Sequence, residues 1–291
     1  MLYIPFLDII VSMVTQENND SMAKTDKIEK GGVLSNYDFL AAYQNLQTGI
    51  EFDELIKRSS ATVSHTAKNA APYCNFALIN KMLSDEEFSE LEHLFSSLER
   101  TPVIYFENKP TLVKHLDRFK KRGYEKAFED SWMFYERDVI DKSRFPQVKK
   151  VDDHKSLEVF LKTWDASLQS GDPQNPYGSV KGYLDNYRQA WLKFGASNRV
   201  QYFIVYDGEQ PVATALLHSF EGVGYISNVG SLQTVRGRGF GKLATLYAVK
   251  RSQQIGNIVH SLSTEEGSFP NEFYKRIGFI TRFTGIGLTK Q

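Results

Sequence analysis

The chain has 291 residues, 41% of them hydrophobic, and its 35 Lys plus Arg are balanced by 35 Asp plus Glu. That length supports one large or two ordinary domains with real cores, and the zero net charge gives no global field to draw in nucleic acid or an anionic membrane. One cysteine, Cys74, excludes an internal disulfide and suits a reducing, cytoplasmic setting, and the six histidines are scattered without a ligand-like spacing, so no metal is expected.

Leu2 to Val14 is apolar, but it lacks a basic flank, contains Pro5 and Asp8, and leads to no small-residue cleavage site. It reads neither as a secretion signal nor, at this length, as a membrane span. Gln16 to Gly32 is polar and charged, a flexible tail, and Met22 offers a later start as an alternative. Residues 1–32 are therefore set apart from a first domain over 33–140 and a second over 146–291, divided in the charged, Pro146-containing stretch Asp138 to Gln147.

In the first domain Ser84 is placed to cap a helix over Asp85 to Leu98, with Glu87 completing a capping box. Val103 to Phe106 and Ala127 to Tyr135 read as strands. The second domain opens with a strand at Val148 to Val151 and helices over Ser156 to Ser170 and Ser179 to Phe194. Strands follow at Val200 to Tyr206, Pro211 to Phe220 and Tyr225 to Leu232, joined by turns at Asp207-Gly208 and Glu221 to Gly224. Lys242 to Gln254 reads as a helix, Ile258 to Ser263 as a strand, and Ile280 to Leu288 as the last strand.

Between strand and helix lies Arg236-Gly237-Arg238-Gly239-Phe240-Gly241-Lys242. Glycines remove the Cβ atoms that keep an anion off the backbone, and the free N–H groups and positive dipole end of the next helix complete a site for a pyrophosphate. The spacing fits neither the dinucleotide fingerprint G-x-G-x-x-G nor the Walker A loop, since Leu243 follows Lys242. What it does match is Arg-x-x-Gly-x-Gly, and the run resembles the acyl-CoA loop of the GNAT superfamily of N-acyltransferases. Phe273-Tyr274-Lys275-Arg276-Ile277-Gly278-Phe279, one strand further on, is similar to that family's closing motif, Tyr-x-x-x-Gly-Phe.

The resemblance implies a mixed α/β fold, two GNAT-like domains in tandem with mainly antiparallel sheets and helices on both faces. It also implies acetyl-CoA as co-substrate and an acetyl group passed directly to a primary amine of a small molecule or peptide. Pantetheine would pair with the backbone of Val229, Gly230, Ser231 and Leu232, with Gly230 as a candidate bulge or an ordinary weak point, and the diphosphate would lie on residues Arg236 to Lys242. Tyr274 would protonate the leaving thiolate, the alternative being a core tyrosine ahead of a helix-ending Gly278. The family pattern is departed from at Gln233, where proline is common, and at Gly267, where an asparagine is usual; Asn271, at another helical phase, is kept as the cofactor contact from that helix. The base that deprotonates the amine is left open between Glu265 and Glu266, with Glu221 as a third candidate. Tyr183, Tyr187 and Trp191 form one helical stripe, with Tyr177 upstream, either a packing face or a wall of the acceptor pocket.

Phe119 to Tyr124 echoes Tyr274 to Phe279, with Gly123 set against Gly278, which suggests an internal repeat. Phe119 has no proton to give, and Met82 to Glu86 has carboxylates where a glycine loop would stand, so the first half is expected to be degenerate. The alternatives to an N-acetyltransferase are an acyltransferase with another donor and a non-catalytic CoA-binding regulator. No nucleic acid or membrane partner is expected, and the oligomeric state is left open.

Overall fold

The computed structural model describes residues 34–137, 139–176 and 178–290. The expected leader and tail over residues 1–32 lie outside them, as do Asp138 at the expected boundary and Tyr177.

The elements follow from alternation and capping. In chain order they begin with helix α1 (Asn36–Gln47), strands β1 (Glu54–Lys57), β2 (Thr62–His65) and β3 (Phe76–Leu78), helix α2 (Asp85–Ser97), and strand β4 (Val103–Glu107). Two short helices, α3 (Pro110–Val113) and α4 (Leu116–Lys121), lead to β5 (Tyr124–Tyr135). Then come β6 (Val148–Lys150), α5 (His154–Ser167), α6 (Leu184–Phe194), β7 (Val200–Asp207), β8 (Gln210–Phe220) and β9 (Val223–Ser231). Helix α7 (Phe240–Gln254), β10 (Val259–Glu265), α8 (Phe269–Ile277) and β11 (Phe279–Lys290) close the chain. Helix α5 starts two residues before the expected Ser156 because the Asp153 carboxylate accepts from Ser156 N at 2.7 Å and makes Asp153 the cap.

Period two in β7 sends Tyr202 and Ile204 into the core under α5 and α6, while Phe203 and Val205 join the core under α7 on the other face. Each fully buried aromatic of this kind contributes about 2–3 kcal/mol of burial free energy, so both helical layers are held by the same strands. A third core joins α2, α3 and α4 to β4, with Ile286 and Leu288 from β11.

The described strands form a single sheet in the order β1-β2-β3-β4-β11-β5-β10-β9-β8-β7-β6. Neighbours are antiparallel except at β3/β4 and β9/β10. The order is nearly symmetric about β11/β5: each side has one parallel pair next to the centre, and each half sends its last strand across. The C-terminal strand β11 lies between β4 and β5, and β5 lies between β11 and β10. Gly123 and Gly278, at φ +85° and +116°, turn the chain from α4 into β5 and from α8 into β11. Asn36–Gln291 forms one compact unit. Among the described residues no helix is long and apolar enough to cross a membrane.

Candidate active site

After β9 the chain makes a single turn of 3₁₀ helix, Gln233–Val235, and reaches α7 through Arg236 to Gly239. Gly237 and Gly239 both adopt left-handed φ, +79° and +80°, which brings successive N–H groups round to one side. Gly239 is the N-cap and supplies no side chain to the helix end, while its carbonyl accepts the first helical bond from Leu243 N at 3.0 Å. The N–H groups of Gly237, Gly239, Phe240, Gly241 and Lys242 donate to no group among the described residues. A bare, uncapped helix end of this form fits a diphosphate.

Arg144, from the segment that precedes β6, packs over the loop. Its Nη1 donates to Arg238 O at 3.0 Å, its guanidinium lies 4.7 Å from the Phe240 ring centre, and a Cβ added at Gly239 would stand 3.5 Å from that nitrogen. It therefore braces the glycine loop from outside the cleft lining with a cation that no local motif announces.

The two loop arginines are engaged elsewhere. Arg236 Nη1 donates to Asp172 Oδ1 at 2.8 Å, Nη2 bonds Oδ2, and the Asp172 side chain is 1% exposed. This clamp ties the segment after α5 to the glycine loop, so the guanidinium supports the loop from behind. Arg238 pairs with Asp207 at 2.8 Å, outside the cleft lining. The Arg236 guanidinium beside Asp172 holds its carboxyl well below the usual carboxylate range, a stabilisation present above the ordinary pKa of about 4 and lost as the pH falls through the depressed value. Asp172→Asn is expected to cost about 1–3 kcal/mol at neutral pH, with the deficit shrinking in acid; urea denaturation at two pH values measures it.

β9 and β10 begin as a parallel pair, Val223 to Tyr225 against Val259 to Ser261, and then part. Beyond Ser261, β10 pairs with β5 alone, Leu262 to Glu265 against Met133 to Asp130, and the facing edge of β9 is left open. The gap widens into a cleft of about 1000 Å³, with Val229, Gly230 and Ser231 on one side and Leu262 to Glu265 on the other. Gly237, Gly239, Gly241 and Lys242 line its phosphate-loop end. Leu232 does not line it: its N–H bonds Val212 O at 2.9 Å and its side chain packs on the core.

The bulge that bends β9 is at Asn228, with φ +51°, between the pairs Thr214↔Gly230 and Leu216↔Ser227. Gly230 is not its cause. A Cβ there would fall 1.9 Å from Ser167 Oγ, so the missing side chain makes room for the end of α5.

Tyr274, in α8, lines the cleft, is 9% exposed, and meets the Phe273 and Phe279 rings at 5.0 and 5.7 Å. Glu265 also lines the cleft at the end of β10, opposite Asp130 on β5. Glu266 does not: it accepts from Ser131 Oγ, on the face of β5 opposite to Asp130. Asn271 is fully buried, with Nδ2 donating to Thr264 Oγ1 at 3.1 Å, and fastens α8 to β10 outside the cleft lining. Glu221 sits in the turn before β9, at the far end of that strand from the phosphate loop. Of the aromatic stripe, Tyr183 and Tyr187 line the cleft, whereas Trp191 packs edge-on against His154 at 5.6 Å.

Residues 164–279, which carry the open β9 edge, the glycine cradle and Tyr274, match the model of the acetyltransferase (GNAT) family. They form a GNAT acetyltransferase domain. The chain resembles several solved structures in fold. A GCN5-related N-acetyltransferase from Kribbella flavida superposes with a TM-score of 0.61 at 16% identity, over 86% of this chain and 94% of that one. One from Sphaerobacter thermophilus gives 0.56 at 12% identity, over 79% and 76%. A tandem GNAT protein from the clavulanic acid biosynthesis pathway gives 0.53 at 10% identity, over 81% of each. No curated protein matches the sequence.

The far end of the GNAT domain's cleft is built by residues before it in the chain. Tyr43 from α1, Glu51 from the turn after it, Phe76 from β3, Tyr105 from β4 and Asp130 and Trp132 from β5 all line it. Asp130 accepts from Tyr105 Oη at 3.2 Å, and that hydroxyl in turn accepts from Trp132 Nε1 at 2.6 Å. Gly285 on β11 makes this possible, since a Cβ there would lie 1.9 Å from Tyr105 Oη. Burial first, with Glu265 and Glu129 adding negative charge, pushes the Asp130 carboxyl up to about 7 against the opposing Tyr105 bond.

Proposed function

We propose that the chain is an acetyl-CoA-dependent N-acetyltransferase whose second half, residues 146–291, is catalytic and whose first half, residues 33–140, is a degenerate GNAT-like partner. The observation that carries this reading is the open edge of β9 running directly into an uncapped glycine cradle, both in one cleft with Tyr274. When bound, acetyl-CoA supplies the thioester carbonyl that the amine attacks and the sulfur that leaves. The N–H groups of the loop, with Lys242, hold the diphosphate, and the edge of Val229 to Ser231 pairs with the pantetheine amides. Arg236 serves through its clamp on Asp172, Arg238 and Leu232 through loop and strand position, and Asn271 through its hold on α8.

Asp130 takes the proton of the acceptor ammonium, its carboxyl kept basic by burial first and then by the charge of Glu265 opposite. The N–C bond forms as the C–S bond breaks, the Tyr274 hydroxyl gives its proton to the sulfur, and the excess proton left on the acylated nitrogen passes to the tyrosinate, which leaves a neutral amide, a thiol and Tyr274 restored. With a thiol pKa of about 8.5 against about 10 for tyrosine, that transfer is close to thermoneutral. Glu266, turned to Ser131, is not assigned the base.

The degeneracy of the first half is supported by its own geometry. At the matching helix start, Ser84 Oγ accepts from Glu87 N at 3.2 Å and Glu87 Oε2 from Ser84 N at 2.7 Å, so the chain caps itself, with Asp85 and Glu86 adding negative charge. The pair β3/β4 stays closed, with Ile79 N still bonding Tyr105 O at 3.0 Å.

Calorimetry with acetyl-CoA is expected to give one site per chain, and two equivalent sites would overturn the degenerate first half. Tyr274→Phe should lower kcat about 100-fold while acetyl-CoA affinity stays within about twofold, as for a group acting only in the transition state. Unchanged turnover would leave Tyr274 a packing residue, and an inert wild type facing a broad amine panel would leave a CoA-binding regulator.

A further inference from the structure

The acceptor end of the cleft carries more carboxyl groups than a single proton transfer needs. Glu51 lines it separately from Asp130 and Glu265, and no Lys or Arg pairs with Glu51 or Asp130 among the described residues. The basic side chains that line the cleft, Arg236, Lys242 and Arg276, all belong to the phosphate loop, α7 and α8. Glu51 accepts from Tyr187 Oη at 2.5 Å and from the Tyr43 hydroxyl. Two neutral donors occupy part of a carboxylate's capacity of about four acceptor sites and supply no countercharge. Glu51 is half-buried, and burial pushes its carboxyl up against the two tyrosine bonds, so the charged form is costly unless a cation completes it.

The walls suit a cation. Tyr43 packs edge-on against Trp132 and Tyr225 at 4.8 and 5.0 Å, and Tyr187 against Trp164 at 5.0 Å. Aromatic faces favour an ammonium group at short range, most strongly where water is excluded. Trp164 is only 4% exposed, lines the cleft, and its indole N–H has no acceptor, a second sign of a polar ligand group at this end. Tyr43 and Tyr225 both feel the charges of Glu51 and of Asp130, so the two carboxylates serve one chamber.

We propose that this chamber recognises an acceptor with two cationic centres: Glu51, held by Tyr43 and Tyr187, binds a distal ammonium and fixes the reacting amine at Asp130. The substrate class is a diamine or a longer oligoamine, and the specificity comes from the first half of the chain. This rests on the acyltransferase reading and deepens it. In the reaction the distal group stays protonated throughout; only the amine at Asp130 loses protons, the first to Asp130 and the second as it gains the acyl carbon.

The test is calorimetry of the full chain with linear α,ω-diamines from propane to octane against n-alkylamines of matching length, with acetyl-CoA titrated separately. The wild type is expected to prefer one diamine length over its monoamine by about 30-fold or more, the range for a desolvated charge pair. Glu51→Gln should bring that ratio close to one with acetyl-CoA affinity unchanged, and Glu51→Asp should keep a preference but move it to a longer diamine. A wild type without diamine preference, or a Glu51→Gln ratio equal to the wild type, overturns the proposal. If acetyl-CoA fails to bind the wild type, the acyltransferase reading fails instead; the wild-type ratio needs no variant and stands even where Glu51→Gln does not fold.

Discussion

Gly239→Glu is expected to abolish acetyl-CoA binding, a loss of about 100-fold or more, equivalent to about 2.7 kcal/mol. Three effects act together. The position has φ +80°, a conformation that costs an L residue about 1–2 kcal/mol. The added carboxylate enters the space in front of the helix end, where the dipole and the unpaired N–H groups favour a ligand's negative charge. It also lies beside Arg144, whose nitrogen would be 3.5 Å from the new Cβ, and so draws on the cation that braces the loop. Gly239→Ala separates these effects, because it keeps the strain and lacks the charge; its loss should be no more than about tenfold. Equal losses in the two variants would show that the glycine serves the bend alone, and binding retained by Gly239→Glu would remove the diphosphate from this loop. Calorimetry with acetyl-CoA, with the melting temperature as a folding control, reads all three outcomes.

The part of this site that the sequence exposes is the part made by neighbours in the chain. Gly237, Gly239 and Gly241 stand between a period-two run and a helical run, and both the run lengths and the glycine spacing are local quantities. The succession of strands and helices follows from the same local periods, and the family resemblance supplies their arrangement in a mixed sheet with helices on both faces. The acceptor chamber has no such signature. Asp130 lies in the mixed run Glu125-Lys126-Ala127-Phe128-Glu129-Asp130, which looks solvated, and is half-buried only because β11 and β10 close on either side of β5. Glu51 sits in a turn after α1, and its importance comes from Tyr187, which is far from it in the chain. Asn271 and Glu266 mislead for the opposite reason: both flank the right motif, but helix phase and strand alternation turn them to Thr264 and Ser131. Arg236 lies between these cases, since the motif marks the residue while the long-range Asp172 pair decides what its guanidinium does.

The strand exchange joins the two halves of the chain through one sheet. β5 supplies the wall opposite the open edge of β9, and β11 returns from the second half to pair with β4 and β5. Asp130 therefore stands directly across from Glu265 although the two come from different halves. Removing the first half would remove the wall, the proposed base and the cover of β11 together.

Asp130→Asn should lower kcat/KM by about 100-fold or more, the usual worth of a positioned base, and should erase the rise of kcat/KM with pH centred at about 7. The groups that face Asp130 are the Tyr105 hydroxyl from β4, Glu129 beside it on β5 and Glu265 from β10. Glu265→Gln removes a like charge, so it should move that rise to lower pH without abolishing it. Stability supplies an independent readout. The folded-state pKa lies above the ordinary value of about 3.9, so the native state holds a proton that the unfolded chain has released between about pH 4 and 7. The associated stabilisation is complete below about pH 4 and is lost as the pH rises through about 7. Asp130→Asn cannot ionise, so relative to the wild type it should gain about 2–4 kcal/mol between pH 4 and pH 8 by chemical denaturation. A wild-type pH–rate limb that persists in Asp130→Asn would take the base away from this residue, and a limb lost in Glu265→Gln in its place would assign the base to Glu265.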